Sequence, residues 1–353
     1  MEERLIGRTA EMELVRGALD LLVDPERLLR TPIVEYNGPV GSGKSAMLRE
    51  IHALCRERAI ACMPDAGEAL CQNDGMIQQR LGDEPLVMTV ELDQLGSEGQ
   101  SDAERHLAGL LDGGYGSRLF VALASAGGDH FTYRTITRKT THFSLSPLDQ
   151  TASMALLARH LPDLPNSELV DIFQQTGGYP LGLRTAATII ASRRSEPVKD
   201  RAAHALGELV ASIDAVLLAR VQNPEERERV HHIMTALAIP RRFNLLLAQS
   251  VIKEFTGIGE DDALFYQQLV QELQQLCPGA LYWDTSASGF RIDGNLRPIL
   301  TAQLSVDTRR NMHKCAKAWY ESVIDEPYLS EYDRRRYGEE IAYHRDQSAV
   351  FSG

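Results

Sequence analysis

The chain has 353 residues, long enough for two to four compact units, and its 43% hydrophobic content supports buried cores. Its net charge of −12 excludes a protein that coats nucleic acid with its whole surface, because phosphate binding needs clustered Lys or Arg. Cys55, Cys62, Cys71, Cys277 and Cys315 are odd in number and form no C-x-x-C pair, which predicts buried reduced thiols in a cytoplasmic protein rather than a disulfide frame or a zinc site.

No signal peptide and no apolar run of about 18 residues is present, so no membrane span is expected. Basic residues are 31 Arg against 6 Lys, a bias of GC-rich genomes that points to a bacterial source.

Residues 1–145 alternate helical and strand-like stretches. Glu11 to Leu22 carries Met12, Val15, Leu19 and Leu22 at helical spacing. The apolar run Pro32-Ile33-Val34-Glu35-Tyr36 then leads into residues 38–45, GPVGSGKS, a full match to G-x-x-x-x-G-K-[ST], followed by a helical pattern from Ala46 to Arg58. Strand, loop and helix in that order predict a phosphate-binding loop. Its glycines turn backbone N–H groups inward, Lys44 reaches phosphate oxygens, Ser45 can ligate Mg²⁺, and the helix N-terminus favours negative charge. The expected ligand is a nucleoside triphosphate or diphosphate.

Pro85 opens Leu86 to Val90, Asp102 to Leu111 is helical, and Arg118 to Ala124 is nearly all apolar. Such runs, separated by helices, indicate strands buried on both faces of a parallel sheet. From Ser146 the strand signal stops. Ser146-Pro147-Leu148-Asp149 reads as a helix start, with Pro in the first turn. Helices are expected over Thr151 to His160, Asn166 to Thr176 and Leu181 to Ala191, then an exposed loop from Ser192 to Asp200 and a further helix from Ala202 to Gln222.

Three more helices (Glu225 to Ala238, Asn244 to Glu254, Asp261 to Leu276) precede a hairpin of Leu281 to Asp284 and Phe290 to Asp293 around a Thr-Ser-Ala-Ser-Gly turn, a winged-helix pattern. The tail from Asp307 to Gly353 is helical and polar. It ends without a cap, as if cut from a repeat array or left open to a protein partner. The expected domains are 1–145 (nucleotide binding), 146–222 (helical lid), 223–306 (winged helix) and 307–353 (helical tail).

Some residues have plain readings: His231-His232 as surface or capping groups, Arg334-Arg335-Arg336 as a solvated helix face, and Trp283 and Trp319 as core anchors. The third helix of the winged-helix segment holds Asp261, Asp262 and Glu272 and no Lys or Arg, which argues against direct DNA binding.

In order and spacing these signals resemble the signal-transduction ATPases with numerous domains, the STAND class of NB-ARC proteins and MalT-like and AfsR-like bacterial regulators. The similar segments are Leu5-Ile6-Gly7-Arg8-Thr9-Ala10-Glu11, the phosphate loop, Phe143 to Leu148, Gly178-Tyr179-Pro180-Leu181, Phe290 to Arg297 and His313 to Tyr320. They span essentially the whole chain.

The resemblance implies an ATP- or ADP-binding switch of a signalling, regulatory or defence protein. It implies nucleotide contacts from Arg8, Gly38, Gly41, Ser42, Gly43, Lys44, Ser45, Ala46, Ser125 and Pro180, Mg²⁺ at Ser45 and Asp93, and catalytic carboxylates at Glu91 and Asp93. The departures point to slow hydrolysis. If Asp93 is the magnesium acid, Gln94 stands at the base position; if Glu91 is the second acid, Val90 stands at the magnesium position. Ser125 offers only a hydroxyl as γ-phosphate sensor, Asp293 stands where a sensing His is expected, and Arg291 and Arg297 read as surface arginines. A scaffold with a permanently bound nucleotide is the alternative; a winged-helix DNA-binding regulator is the less favoured one.

Overall fold

A computed structural model describes residues 5–24, 26–72, 75–126, 131–192, 198–260, 262–284, 288–302 and 304–350. The chain divides into two compact units, Met1–Ala155 and Leu156–Gly353.

In the first unit, α1 (Thr9–Val23) precedes β1 (Ile33–Asn37), the phosphate loop and α2 (Lys44–Glu57). Then follow β2 (Ala61–Met63), α3 (Gly67–Cys71), α4 (Gly75–Asp83), β3 (Leu86–Glu91), a 3₁₀ turn over Leu92–Gln94, α5 (Ser97–Asp112), β4 (Leu119–Ser125), α6 (Arg134–Lys139) and β5 (Thr140–Ser144). All five strands are parallel, in the order β2-β3-β4-β1-β5.

The central strands carry the apolar runs because both faces are covered. Val34 and Tyr36 point to α1 and α2 with Met12, Leu19, Met47 and Ile51, while Ile33, Val90, Val121 and Leu123 point to the opposite core with Leu107 and Leu111. β2 and β5 lack such runs. β2 has three residues, and β5 is the half-exposed edge sequence Thr-Thr-His-Phe-Ser, so neither gives an apolar signal in the sequence.

Register places functional residues at one end of the sheet. Asn37 at the end of β1 lies opposite Ser125 of β4 and Ser144 of β5, and Glu91 at the end of β3 lies opposite Ala124. The helix expected over Thr151 to His160 is α7 (Gln150–His160), and Ser146-Pro147-Leu148-Asp149, read as its start, lies before it. Pro147 lies outside it, and Asp149 instead caps the helix by accepting the Ala152 N–H at 2.7 Å.

The second unit holds α8 (Asn166–Thr176), α9 (Pro180–Ser192), α10 (Val198–Leu217), α11 (Pro224–Leu237), α12 (Leu245–Thr256) and α13 (Ala263–Leu276). The hairpin β6 (Leu281–Asp284) and β7 (Gly289–Ile292) follows, then α14 (Arg297–Ala302), α15 (Val306–Val323) and α16 (Glu331–Val350). Residues 198–200, expected in a loop, open α10; residues 193–197 of that loop, Asp261, residues 285–287 of the hairpin turn and the last three residues of the tail lie outside the described residues.

Side-chain caps set several boundaries. Asn223, Asn244, Asp262 and Ser305 each accept a first-turn N–H. The Gly-Gly-Tyr-Pro break before α9 is a packing feature: Gly177 has φ 60°, and a Cβ there would stand 2.5 Å from Pro298 Cγ at the start of α14.

Four sequence readings are corrected in this unit. Trp283 is no core anchor: it is 48% exposed and lies edge-on to Phe290, while Phe243, bridged to Phe290 by backbone hydrogen bonds, is buried. Trp319 is half-buried, and its neighbour Tyr320 is the buried anchor, donating to the Arg242 carbonyl. Arg336, read as solvated, is 7% exposed and stacks on Tyr332. Arg297 is half-buried and donates to the carbonyls of Ala238 and Ile239 beyond α11, because the last carbonyls of a helix lack intrahelical partners. His231 pairs with Asp214 of α10 at 2.9 Å, and His232 is exposed.

Candidate functional site

The loop between β1 and α2 turns on glycine. Gly43 caps α2 in the left-handed region at φ 105°, and a Cβ at Gly38 would stand 2.8 Å from Ser42 Oγ. Only glycine lets the chain fold that tightly. The turn brings residues 38–43 over the first turn of α2, whose leading N–H groups have no intrahelical acceptor and carry the positive end of the helix dipole.

Ser42 is fully buried, and its hydroxyl has no partner among the described residues. Lys44, the first residue of α2, is only 8% exposed. Its ammonium donates to the Gly38 carbonyl at 2.5 Å and the Pro39 carbonyl at 3.1 Å, and lies 3.6 Å from Asp93 Oδ2. Ser45 and Ala46 follow in the first helical turn, both half-buried.

Arg8 braces this loop from the N-terminal side. Its guanidinium donates to the Ser42 carbonyl at 3.4 Å and the Ser146 carbonyl at 2.7 Å, and lies 3.7 Å from Glu11. Burial pushes the Arg8 pKa down, and Glu11 opposes that. Arg8 thus ties the segment before α1, the phosphate loop and the stretch after β5 into one wall.

The two acids after β3 behave differently. Asp93, in the 3₁₀ turn, accepts the Ala126 N–H through Oδ1 at 2.6 Å and faces Lys44 with Oδ2. Glu91 accepts the Gln94 side-chain amide at 2.6 Å, and Val90 is buried. The carboxylate brought to the phosphate loop is therefore Asp93.

Ser125 closes β4, and its carbonyl accepts the Gly38 N–H at 3.2 Å. Its hydroxyl donates to Glu35 Oε1 at 2.6 Å, and Glu35 Oε2 pairs with His142 Nδ1 of β5 at 2.6 Å. Glu35 is 2% exposed. Sequence reasoning passed over it inside an apolar run; a single acid in an otherwise apolar strand leading into the phosphate loop was the available signal, since a buried carboxylate needs partners. Gly127 and Gly128, next along from Ala126, lie outside the described residues.

The first unit thus brings together Arg8, Gly38, Gly41, Ser42, Gly43, Lys44, Ser45, Ala46, Asp93 and Ser125. Pro180 belongs to the second unit, where it opens α9 beside the buried Tyr179. Asp293, also there, accepts both the backbone and the side-chain N–H of Asn295 at 2.7 Å.

The Ser45 hydroxyl and the Asp93 carboxylate are hard oxygen donors, the kind that suit Mg²⁺. Among the described residues no cluster of His, Cys, Asp and Glu could hold a metal by itself, and no helix is long and apolar enough to cross a membrane.

Among solved structures, the chain is similar to a Walker-type ATPase of Pyrococcus abyssi, at 13% identity over 85% of this chain and 97% of that one, with a TM-score of 0.54. The fold is that of a P-loop ATPase. Weaker likenesses are to the HORMA:CdnC:Trip13 complex of E. coli MS115-1 (14% identity, 57% of this chain and 88% of that one, TM-score 0.46) and to domain III of the Thermotoga maritima replication initiation protein DnaA (16% identity, 57% and 92%, TM-score 0.42). No family model matches the chain, and no curated protein matches it in sequence.

Proposed function

We propose that this chain is an ATP- or ADP-binding molecular switch of STAND type, part of a bacterial signalling, regulatory or defence protein, with slow hydrolysis. The observation that carries this reading is the buried Lys44 at the head of α2, wrapped by a glycine turn and facing Asp93. A cation sequestered there, with the helix N-terminus behind it, is an arrangement for phosphate.

In this reading Lys44 and the N–H groups of residues 41–46 hold the phosphates, Arg8 keeps the loop closed against the segment after β5, and Ser45 and Asp93 hold Mg²⁺. When bound, the cation neutralises phosphate charge. Pro180 packs on the nucleotide from the lid (146–222), and exchange of nucleotide shifts the winged-helix domain (223–306) through differential affinity for two arrangements. The tail (307–353) or the winged helix takes a protein partner in the cytoplasm. Direct DNA contact is disfavoured, because α13 carries no Lys or Arg.

A second reading, a scaffold with a permanently held nucleotide, is favoured by one observation. The residue beside Asp93 is Gln94, whose amide is spent on Glu91, so no carboxylate stands next to the magnesium acid to orient a water. Extraction and chromatography of the nucleotide carried by the purified protein, followed by exchange against labelled ATP, separates the two. Exchange within minutes supports the switch; a stoichiometric nucleotide that neither exchanges nor turns over supports the scaffold. Protein that neither carries nor binds nucleotide defeats both.

A further inference from the structure

Register gathers three polar side chains beside the phosphate loop. His142 of β5 lies directly opposite Glu35 of β1, and Ser125 of β4 lies opposite Asn37, two residues further along β1, so Glu35, His142 and Ser125 share one face of the sheet. Glu35 is buried in a strand whose neighbours on both sides are apolar, a place a carboxylate tolerates only when its oxygens are bonded. Both are: Ser125 Oγ donates to Oε1 at 2.6 Å, and His142 Nδ1 meets Oε2 at 2.6 Å. Ser125 is buried as well, and His142 is half-buried.

A serine hydroxyl has a single proton. Here that proton goes to Glu35, so toward the phosphate loop Ser125 offers only lone pairs, and the ionised oxygens of a terminal phosphate are acceptors too. We propose that Glu35, steadied by His142, is a specificity-determining residue of the nucleotide site: by taking the Ser125 proton it withholds the affinity that a terminal phosphate would draw from the end of β4. The proposal rests on the reading of this site as a nucleotide site. Glu35 acts through Ser125 and is a positioning residue, and the γ-phosphate sensor that the family resemblance expects at Ser125 is silenced by it.

The end of β4 is tied to the groups that would carry the phosphates. The Ser125 carbonyl accepts the N–H of Gly38, the first residue of the loop, at 3.2 Å. The next N–H, that of Ala126, goes to Asp93 Oδ1 at 2.6 Å, and Asp93 Oδ2 faces Lys44 Nζ at 3.6 Å. A phosphate competing for the Ser125 proton would leave one oxygen of a buried carboxylate unbonded. That loss exceeds the return from the new bond, because an unsatisfied buried charge costs its full desolvation penalty. The bond to Glu35 is also charge-assisted and short, which makes it the stronger of the two claims on the proton.

The test uses the full chain, stripped of carried nucleotide and titrated calorimetrically with ADP and with ATP while magnesium is chelated, so that neither the metal's own bonds nor hydrolysis enters. Wild-type protein should bind ATP no more tightly than ADP. Glu35→Leu, which suits the apolar strand, frees the Ser125 proton and should raise ATP affinity relative to ADP by about 10-fold, the worth of one hydrogen bond to a charged group. The Glu35→Leu, Ser125→Ala double variant should return to the wild-type ratio. A shift that persists in the double variant comes from the lost charge alone and overturns the proposal, as does an unchanged ratio in Glu35→Leu, or wild-type protein that binds ATP the more tightly. The wild-type ratio decides the matter even where the variants fail to fold. Wild-type protein that binds neither nucleotide overturns the nucleotide site and this proposal with it, a result distinct from binding both with the wrong preference.

Discussion

Lys44 Nζ lies 3.6 Å from Asp93 Oδ2, so the cation of the phosphate loop and the carboxylate of the turn after β3 meet across the end of the sheet. β4 lies between β1 and β3 in the sheet, and Asp93 is held by the N–H of Ala126 just beyond β4. The pair is thus set by strand order rather than by neighbouring sequence. Of the two acids after β3, Asp93 is the one that faces Lys44, and Gln94, next to it, donates to Glu91.

Lys44→Ala should weaken ATP and ADP binding by about 10- to 100-fold, the loss expected when a charge-assisted hydrogen bond to phosphate is removed. The fold should survive, since the side chain is bonded to loop carbonyls and Asp93 rather than packed into the core. Isothermal titration with each nucleotide measures the change. Unaltered affinity would show that the glycine turn holds no phosphate.

Gln94→Glu should raise ATP hydrolysis. The wild-type chain is expected to turn over well below the ~10 s⁻¹ of a median enzyme, because Gln94 cannot accept a proton and donates its amide to Glu91. A carboxylate at this place supplies a general base beside Asp93 and should accelerate phosphate release by at least ~10-fold. Release at ordinary enzymatic rates by the wild type, abolished by Glu91→Gln, would instead make Glu91 the working base.

The phosphate loop, the central strands and most helices of the second unit were legible in the sequence, because each is marked by a local pattern: glycine spacing, an uninterrupted apolar run, or apolar residues at helical spacing. β5 was not, since an edge strand of Thr, His and Ser carries no apolar signature and is recognised only by its register against β1. Arg297 and Arg336 read as surface charges because their partners, the carbonyls of Ala238 and Ile239 and the ring of Tyr332, are set by tertiary packing. Glu35 was hidden for the same reason: Ser125 and His142, which make its burial tolerable, lie far along the chain.

Asp293→His tests the position where the resemblance to STAND ATPases expects a sensing His. Asp293 accepts the N–H and the side-chain amide of Asn295, so its loss should cost about 1–2 kcal/mol of stability in the second unit. If the residue also faces a β-phosphate, replacing its negative charge should tighten ADP binding at the same time. Denaturant unfolding without nucleotide and titration with ADP separate the two effects. Lower stability with unchanged ADP affinity would confine Asp293 to its turn.

The buried pair His313 and His344 predicts acid sensitivity of the second unit. Their Nδ1 atoms lie 2.8 Å apart, so one ring donates and the other accepts, an arrangement that is lost when both rings are protonated. Burial pushes both pKa values down, His313 to about 4 with help from Arg297 and Arg309, and His344 to about 3 with help from His313, Arg297 and Arg241. Glu340, 3.9 Å from His344, pulls the other way, but its carboxylate is shared with Arg241 and Arg242. In the unfolded chain both rings take protons near pH ~6.5. The unfolded state therefore binds more protons between pH ~6.5 and the folded values, and stability falls as pH drops through that window, reaching its full value only above it. Thermal unfolding between pH 7.5 and 4.5 should show a steeper loss for the wild type than for a His313→Gln, His344→Gln double variant, even if the variant is less stable throughout. Equal slopes would mean that the two rings titrate alike in the folded and the unfolded protein.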